Sequence, residues 1–171
     1  MAEGILRRLL ADAGITATVD SAGLLEGGAP ATAHAVEVLA ERGIDIAEHR
    51  SRQLGDLDDL DRADLVIGME RRHVQEYALL EPARRGRSFT LPELARRAAA
   101  APPRPEGVAL ADWAESLSVG RTLADLLGTD DGVADPIGRS RARYAATADL
   151  LTELLRTVVD RAWPAAAEGA A

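Results

Sequence analysis

Cysteine and lysine are both absent from this chain of 171 residues. Without cysteine, the chain as given can form no disulfide, no reactive thiolate and no cysteine metal site. Arginine supplies all 20 basic residues, and aromatic residues make up only 3% of the chain. A folded core must therefore be built mainly from Leu, Val, Ile and Ala.

Basic charge and long apolar runs are scarce as well. The formal net charge is −8 and the pI is about 4.9, which argues against nucleic acid or an anionic membrane as the main partner, because both require a basic surface. No apolar run approaches the roughly 20 residues that span a bilayer, and no secretory signal pattern is present. We therefore expect a cytoplasmic protein, with residues 1–171 forming one domain around one core.

Helical and strand patterns alternate along the chain. Helical spacing of apolar residues predicts a first helix that ends near Gly14 and a final helix from Ser140 to Trp163. Alternation predicts a strand from Ile15 to about Val19, and a short apolar run predicts a strand at 65–69. The segment 87–91, just before the next helical pattern, is a candidate for a further short strand. Strands that alternate with helices indicate an α/β fold with a mostly parallel sheet. The other predicted helices are 30–43, 70–80, 92–101 and 110–127, the last broken near 118–120.

Asp135 is the first candidate for chemistry. It lies in "VADPIG", after Gly132 and before Pro136. The proline removes a backbone donor and stiffens the turn. A carboxyl group on a stiff loop suits a general acid, although a plain Asp-Pro turn has the same sequence.

Two further polar stretches could support a site. Ser21 in "VDSAG" follows a predicted strand, and ligand sites of open α/β sheets lie at strand ends; the alternative is an ordinary turn residue. His49 belongs to "EHRSRQL", which could orient a loop or be a solvated connection. The three histidines lack metal-ligand spacing, so we expect no metal site and no cofactor.

Five segments, taken in order, resemble the low-molecular-weight protein tyrosine phosphatase family, which includes related arsenate reductases. They are "MAEGILRRLL", "VDSAG", "LAERGIDIAEHRSRQL", "ADLVIGMERRHV" and "VADPIG". The resemblance implies a three-layer α/β fold with a small parallel sheet flanked by helices. It implies a phosphorylated protein or a small phosphomonoester as partner. Nothing in the sequence demands a further copy of the chain, so we expect a monomer.

The family's signature is a strand, a phosphate-binding C-x5-R-S-P loop and a helix. The loop amides and the helix N-terminus hold the phosphate, the cysteine thiolate attacks phosphorus, and an aspartate protonates the leaving oxygen. By resemblance, Asp135 matches that general acid, and Ser21 and His49 match the polar pair that supports the loop.

The chain departs from the family in three places. Its first residue matches the position directly after the signature, so the first, central strand and the C-x5-R-S-P loop have no counterpart, and we expect the true start to lie upstream. Ile137 and Gly138 follow Pro136, where the family often has aromatic residues that grip a phosphotyrosine ring. The stretch Pro92–Ala134 is longer than the family's usual connection and receives no role.

Three hypotheses remain open. The first is a phosphatase that hydrolyses phosphomonoesters through a phosphocysteine, with the chain as given inactive because it lacks the nucleophile. The second is a non-catalytic phosphoprotein-binding or regulatory paralogue. The third is a fragment that barely folds, because a missing central strand leaves strand edges unpaired.

Overall fold

The computed structural model describes residues 1–122, 125, 128 and 132–164. The helices in these ranges are α1 (Ala2–Asp12), α2 (Ala33–Ala40), α3 (Arg71–Leu80), α4 (Leu91–Ala100), α5 (Leu110–Leu117) and α6 (Arg141–Ala162). The strands are β1 (Val66–Gly68) and β2 (Ser88–Thr90). Three 3-10 helices cover Leu54–Asp56, Leu60–Arg62 and Pro82–Arg87. None of the helices in the described ranges is long and apolar enough to cross a bilayer.

The two strands form a small parallel sheet. Ile67 of β1 lies opposite Phe89 of β2, and the pairs on either side keep the same register. The strands are joined through α3, as parallel neighbours require a crossover connection. α4 follows β2 directly, and the Thr90 hydroxyl caps it by accepting from the Glu93 amide at 3.3 Å. The predicted α/β fold with a small parallel sheet flanked by helices is confirmed.

The predicted strand from Ile15 to Val19 is wrong. These residues have no strand pairing in the structure. The Val19 carbonyl accepts from Nε of Arg7 at 3.0 Å instead of from a neighbouring strand. Alternating apolar residues make a strand only where another strand offers its backbone, and no such partner for this segment lies in the described ranges.

The chain packs as two compact units. The first unit is Met1–Asp58 with Val133–Leu155, and the second is Asp59–Gly132 with Arg156–Ala171. Within the first, the buried apolar side chains include Ile5, Leu10, Val38, Leu39, Tyr144, Ala148, Leu151 and Leu155. Within the second they include Val74, Tyr77, Phe89, Leu91, Leu94, Trp113, Leu117 and Val158. The single domain expected from the sequence stays a prediction.

The Pro-rich linker after α4 is held by Arg104. Its amide donates to the Arg161 carbonyl at 2.8 Å, and its Nε donates to the Ala162 carbonyl at 2.5 Å. Its guanidinium lies 5.8 Å from the centroid of the Trp163 ring. Arg104 therefore satisfies carbonyls at the end of α6 that have no partner within the helix.

The helix predicted over 110–127 is described only in part. α5 ends at Leu117, and Gly120 has a positive φ of 77°, which agrees with the predicted break. Residues 123, 124, 126 and 127 lie outside the described residues, as do 129–131 of the acidic turn before Asp135.

Candidate functional site

Ser21 and His49, both singled out from the sequence, face one carboxylate in the first unit. The Ser21 hydroxyl donates to Oε2 of Glu3, and Nδ1 of His49 lies 3.8 Å from the same oxygen. Glu3 belongs to the first turn of α1, and its side chain is only 12% exposed. The structure thus joins the two predicted residues through a third, which the sequence patterns did not reveal.

Arg7 completes the Glu3 contacts from one helical turn later. Its Nη2 lies 2.8 Å from Oε1 of Glu3, and its guanidinium also binds the Val19 carbonyl. An acid followed four residues later by an arginine is a favourable pair on a helix. That spacing was the one sequence signal for Glu3, and it is too common on helices to indicate a site by itself.

Arg52 fixes the backbone at Ser21. Its Nε and Nη2 donate to the Ser21 carbonyl at 3.2 and 3.1 Å, and Nη2 also donates to Oδ1 of Asp20 at 3.0 Å. Arg52 is itself placed by a backbone bridge, because its carbonyl accepts from the Gly23 amide at 2.8 Å. The Arg52 guanidinium thus holds the Ser21 carbonyl, while the Ser21 hydroxyl faces Glu3.

The charges of this cluster nearly cancel. Glu3 and Asp20 carry two negative charges, and Arg7 and Arg52 carry two positive charges that lie against them. With His49 neutral, the group has no excess positive charge to attract an anion. Any strong preference for phosphate has to come from groups beyond these five residues.

An open cavity of about 550 Å³ borders the cluster. α1 approaches its far wall closely at Gly4, where a methyl group would lie 3.0 Å from the Cγ2 atoms of Ile44 and Ile46. Burial lowers the pKa of the Met1 α-amino group below its usual value, and the nearby Glu3 carboxylate acts in the opposite direction. The lining residues are Met1, Glu3, Gly4, Arg7, Arg8, Gly43, Ile44, Asp45, Ile46, Glu48 and His49.

Asp135 lies in an exposed turn. Its Oδ1 accepts from the Ile137 amide at 2.9 Å, and the Arg139 amide donates to the Pro136 carbonyl at 2.9 Å. Such a side-chain turn leaves the other carboxylate oxygen available to solvent or a ligand. Among the contacts recorded for the described residues, none joins Asp135 to Ser21 or His49.

A second polar cluster, in the second unit, was not foreseen from the sequence. The fully buried Glu93 carboxylate binds three arginines. Arg71 Nη1 donates to Oε2 at 2.8 Å, Arg97 Nε donates to Oε1 at 3.1 Å, and Arg121 Nη2 donates to Oε2 at 3.1 Å. In a sequence, single charged residues at helical spacing indicate a solvent-exposed helix face. The contact of arginines from three separate segments with one carboxylate could therefore not be predicted.

Arg121 follows α5 in the chain and is one of the three arginines of this cluster. Its Nε lies 2.9 Å from Oε1 of Glu93, but the N–H does not point at that oxygen, so this contact is an ion pair rather than a hydrogen bond. Its Nη1 donates to the Ser88 carbonyl at 3.0 Å, and its guanidinium lies 4.6 Å from the Phe89 ring centroid. Burial lowers the pKa of Arg121, and the Glu93 carboxylate opposes the shift. A guanidinium group keeps its charge in proteins even where its pKa is lowered.

These features define a small α/β protein. Two parallel strands are joined by a crossover connection and flanked by helices, and a polar network lies on the first turn of α1. The family model described as "Low molecular weight phosphotyrosine protein phosphatase" matches residues 1–101. The chain belongs to this family, as the five sequence segments had indicated.

Curated relatives match the same part of the chain. A "Probable low molecular weight protein-tyrosine-phosphatase EpsP" from Ralstonia nicotianae is 42% identical over 95 residues, and its counterpart from Ralstonia solanacearum is 40% identical. The matched region is 55% of this chain and 62% of each relative. The chain thus matches less than two thirds of the length of these relatives.

Solved structures match over nearly the whole chain. The low molecular weight protein tyrosine phosphatase from T. tengcongensis is 28% identical, with a TM-score of 0.68 over 93% of this chain and 87% of that one. A YwlE mutant from Bacillus subtilis is also 28% identical, with a TM-score of 0.67 over 93% and 86%. The "YwlE arginine phosphatase from Geobacillus stearothermophilus" is 26% identical, with a TM-score of 0.63 over 93% and 83%.

Proposed function

We propose that this chain carries the supporting half of a phosphomonoester-hydrolysing site of its family. In this proposal Asp135 is the general acid, and Ser21 and His49 support the phosphate-binding loop. The observation that carries it is the meeting of Ser21 and His49 on the Glu3 carboxylate, at the N-terminal turn of α1. Two residues predicted from separate segments share one partner beside a helix end whose dipole favours negative charge.

The chain as given is proposed to be catalytically inactive. The family reaction needs a thiolate that attacks phosphorus, and the sequence contains no cysteine. A serine, an imidazole and an aspartic acid could orient a phosphoryl group and protonate a leaving oxygen. Without a covalent nucleophile, however, they lose most of the rate enhancement of the complete set.

The proposed partner is a phosphorylated protein or a small phosphomonoester, handled in the cytoplasm by a monomer. Among the structural neighbours, one is described as an arginine phosphatase and another as a tyrosine phosphatase. Phosphotyrosine and phosphoarginine therefore both belong among the substrates to be tested.

The direct test is an assay of the purified chain with p-nitrophenyl phosphate, phosphotyrosine and phosphoarginine. We expect no turnover above that of buffer, and no difference between the parent chain and Asp135→Asn. Hydrolysis above that of buffer would contradict the inactivity and would require a nucleophile other than cysteine; if Asp135→Asn left that hydrolysis unchanged, the general-acid role of Asp135 would be wrong as well.

A second candidate is non-catalytic binding of phosphoproteins. The observation that favours it is that the Glu3–Ser21–His49 contacts are complete in a chain that has no nucleophile. Because the neighbouring acids and arginines cancel, we expect only weak binding of a phosphotyrosine peptide, with a Kd of about 1 mM or above. Titration calorimetry with the phosphorylated and unphosphorylated peptide tests this, with Ser21→Ala as the variant that should lose the difference.

A further inference from the structure

The backbone carbonyl of Ser21 is held by a side chain rather than by other backbone. Nε and Nη2 of Arg52 both donate to it, at 3.2 and 3.1 Å. Among the backbone–backbone hydrogen bonds of the described ranges, none involves the amide or the carbonyl of Ser21. The orientation of Ser21 therefore depends on side-chain contacts, because neither strand pairing nor a turn fixes its peptide groups.

The backbone that carries Arg52 is itself fixed at two points. The Arg52 carbonyl accepts from the Gly23 amide at 2.8 Å, and the Gly23 carbonyl accepts from the Leu54 amide at 2.8 Å. The preceding carbonyl, of Ser51, accepts from the Gly28 amide at 2.8 Å. These bonds join backbone atoms, so they do not depend on the Arg52 side chain.

The contact with Ser21 uses the planar shape of the guanidinium group. Nη2 of Arg52 also donates to Oδ1 of Asp20 at 3.0 Å, so one group binds a carboxylate and the Ser21 carbonyl together. Arg7 acts on the same stretch from α1, because its Nε donates to the Val19 carbonyl at 3.0 Å. A lysine ammonium could replace the charge of Arg52 but not the fixed arrangement of two donors.

We infer that Arg52 is the positioning residue for Ser21, and this inference rests on the proposed role of Ser21 in supporting the phosphate-binding loop. With the carbonyl held by two donors, the Ser21 hydroxyl starts from a fixed backbone and reaches Oε2 of Glu3. Without the guanidinium group, no hydrogen bond holds the peptide group that follows Ser21. All three residues belong to the first unit.

The test compares Arg52→Ala with Arg50→Ala. Arg50 is also an exposed arginine, but its Nη1 donates to the carbonyls of Ala47 and His49, in its own segment. NMR of the chain without ligand gives the scalar couplings between Hα and Hβ of Ser21. These couplings report how the side chain is distributed over its three staggered rotamers.

Amide hydrogen exchange at Gly23 and Leu54 is the control for the local backbone. Both amides donate across the bridge between the two segments, which does not need the Arg52 side chain. A variant that keeps their protection has kept the loop in place.

We expect one Ser21 rotamer to dominate in the parent chain. Arg52→Ala should lower the population of that rotamer about twofold, because the side chain then spreads over the staggered wells. Exchange at Gly23 and Leu54 should stay unchanged. Arg50→Ala should change neither the couplings nor the exchange.

Arg52→Lys separates charge from geometry. It keeps a positive charge beside Asp20 but lacks the planar pair of donors, so we expect the Ser21 rotamers to spread as in Arg52→Ala. Couplings restored in full by the lysine would overturn the inference, because charge alone would then position Ser21.

Three other results would overturn it as well. The first is unchanged Ser21 couplings in Arg52→Ala, and the second is an equal change in Arg50→Ala. The third is loss of protection at Gly23 and Leu54 in Arg52→Ala, because Arg52 would then support the loop as a whole rather than Ser21.

The measurement needs neither ligand nor turnover. If the chain hydrolyses phosphomonoesters, the proposed inactivity is wrong while the role of Arg52 is untouched. If Ser21→Ala binds a phosphotyrosine peptide as the parent chain does, the proposed role of Ser21 is wrong, and the couplings still decide whether Arg52 orients it.

Discussion

Three guanidinium groups share a single carboxylate at Glu93. Burying charge is costly, and a buried ion pair compensates that cost only when its hydrogen bonds are complete. The carboxylate side meets this condition, because both oxygens of Glu93 accept from arginines, whereas Nε of Arg121 makes only an ion pair. The same arrangement makes Glu93 vulnerable, since loss of its one negative charge leaves three positive charges facing each other.

Glu93→Gln should therefore be strongly destabilising. We expect a loss of about 3 to 5 kcal/mol in the free energy of unfolding, as for other buried pairs that lose one partner. Urea denaturation measures it, with the exposed Glu106→Gln as the matched control, expected to change stability by less than about 0.5 kcal/mol. A loss below about 1 kcal/mol for Glu93→Gln would show that the arginines do not depend on this carboxylate.

Because of Tyr77, we expect the free energy of unfolding to depend on pH in the alkaline range. Its hydroxyl donates to the Leu60 carbonyl at 3.2 Å, and burial, followed by the charge of Glu81, raises its pKa above the usual value of 10.0. A raised pKa in the folded state means that the stabilisation is complete below pH 10.0 and is lost as the pH rises through the folded-state value.

Tyr77→Phe should cost about 1 kcal/mol at pH 7, because the hydrogen bond is lost. Tyr77→Phe has no hydroxyl to ionise at this position. The difference in the free energy of unfolding between this variant and the parent chain should therefore shrink as the pH rises above 10.0. Urea denaturation at several pH values between 7 and 11 tests this; a constant difference across that range would contradict it.

At the scale of single residues, the sequence indicated Ser21 and His49 but not the carboxylate between them. A polar side chain in a short motif can be seen in the sequence, whereas a contact between α1 and two distant loops depends on the fold. The same reason hides the Glu93 cluster, whose members are spread from Arg71 to Arg121.

At the scale of elements, the helices were more predictable than the strands. A repeat of buried positions over the length of α6 predicts that helix without knowledge of its neighbours, and Tyr144, Ala148, Leu151 and Leu155 are all buried. β1 could be found because it lies in a short apolar run. β2, with Phe89 between Ser88 and Thr90, could be found only as a short segment before a helical pattern. The segment Ile15–Val19 has the strand pattern but no pairing, and pairing is not a property of the segment alone.

Leu150 and Leu151, adjacent on α6, test the packing of this helix. Leu151 is 3% exposed and Leu150 is 42% exposed. Leu151→Ala should destabilise by about 2 to 5 kcal/mol, because it removes buried methyl groups and leaves a cavity. Leu150→Ala should change stability by less than about 0.5 kcal/mol; equal effects in thermal or urea unfolding would contradict the assigned face of α6.

At the scale of the whole molecule, net charge governs behaviour in solution more than fold. The formal charge of −8 gives mutual repulsion between molecules at neutral pH. The chain belongs to a phosphatase family, yet its acidic surface gives no general attraction for phosphorylated partners. Recognition of a phosphoryl group then depends on a local arrangement, as proposed beside α1.

Solubility should pass through a minimum near the pI of about 4.9, because repulsion between molecules vanishes there. Light scattering between pH 4 and pH 8 measures this, and the minimum should move to higher pH in a variant with two exposed acids, Glu106 and Asp112, changed to Asn or Gln. A minimum that stays in place would show that charge does not limit the solubility of this chain.

The hydrogen bonds from Arg104 to the last turn of α6 have a consequence for the order of folding. The guanidinium and the carbonyl it binds are 58 residues apart in sequence, so this contact closes one of the long loops of the second unit. Closing a long loop costs entropy before the contact repays it, which slows the step. During synthesis the linker cannot reach its final place until residue 162 has left the ribosome, so the second unit should complete its folding late.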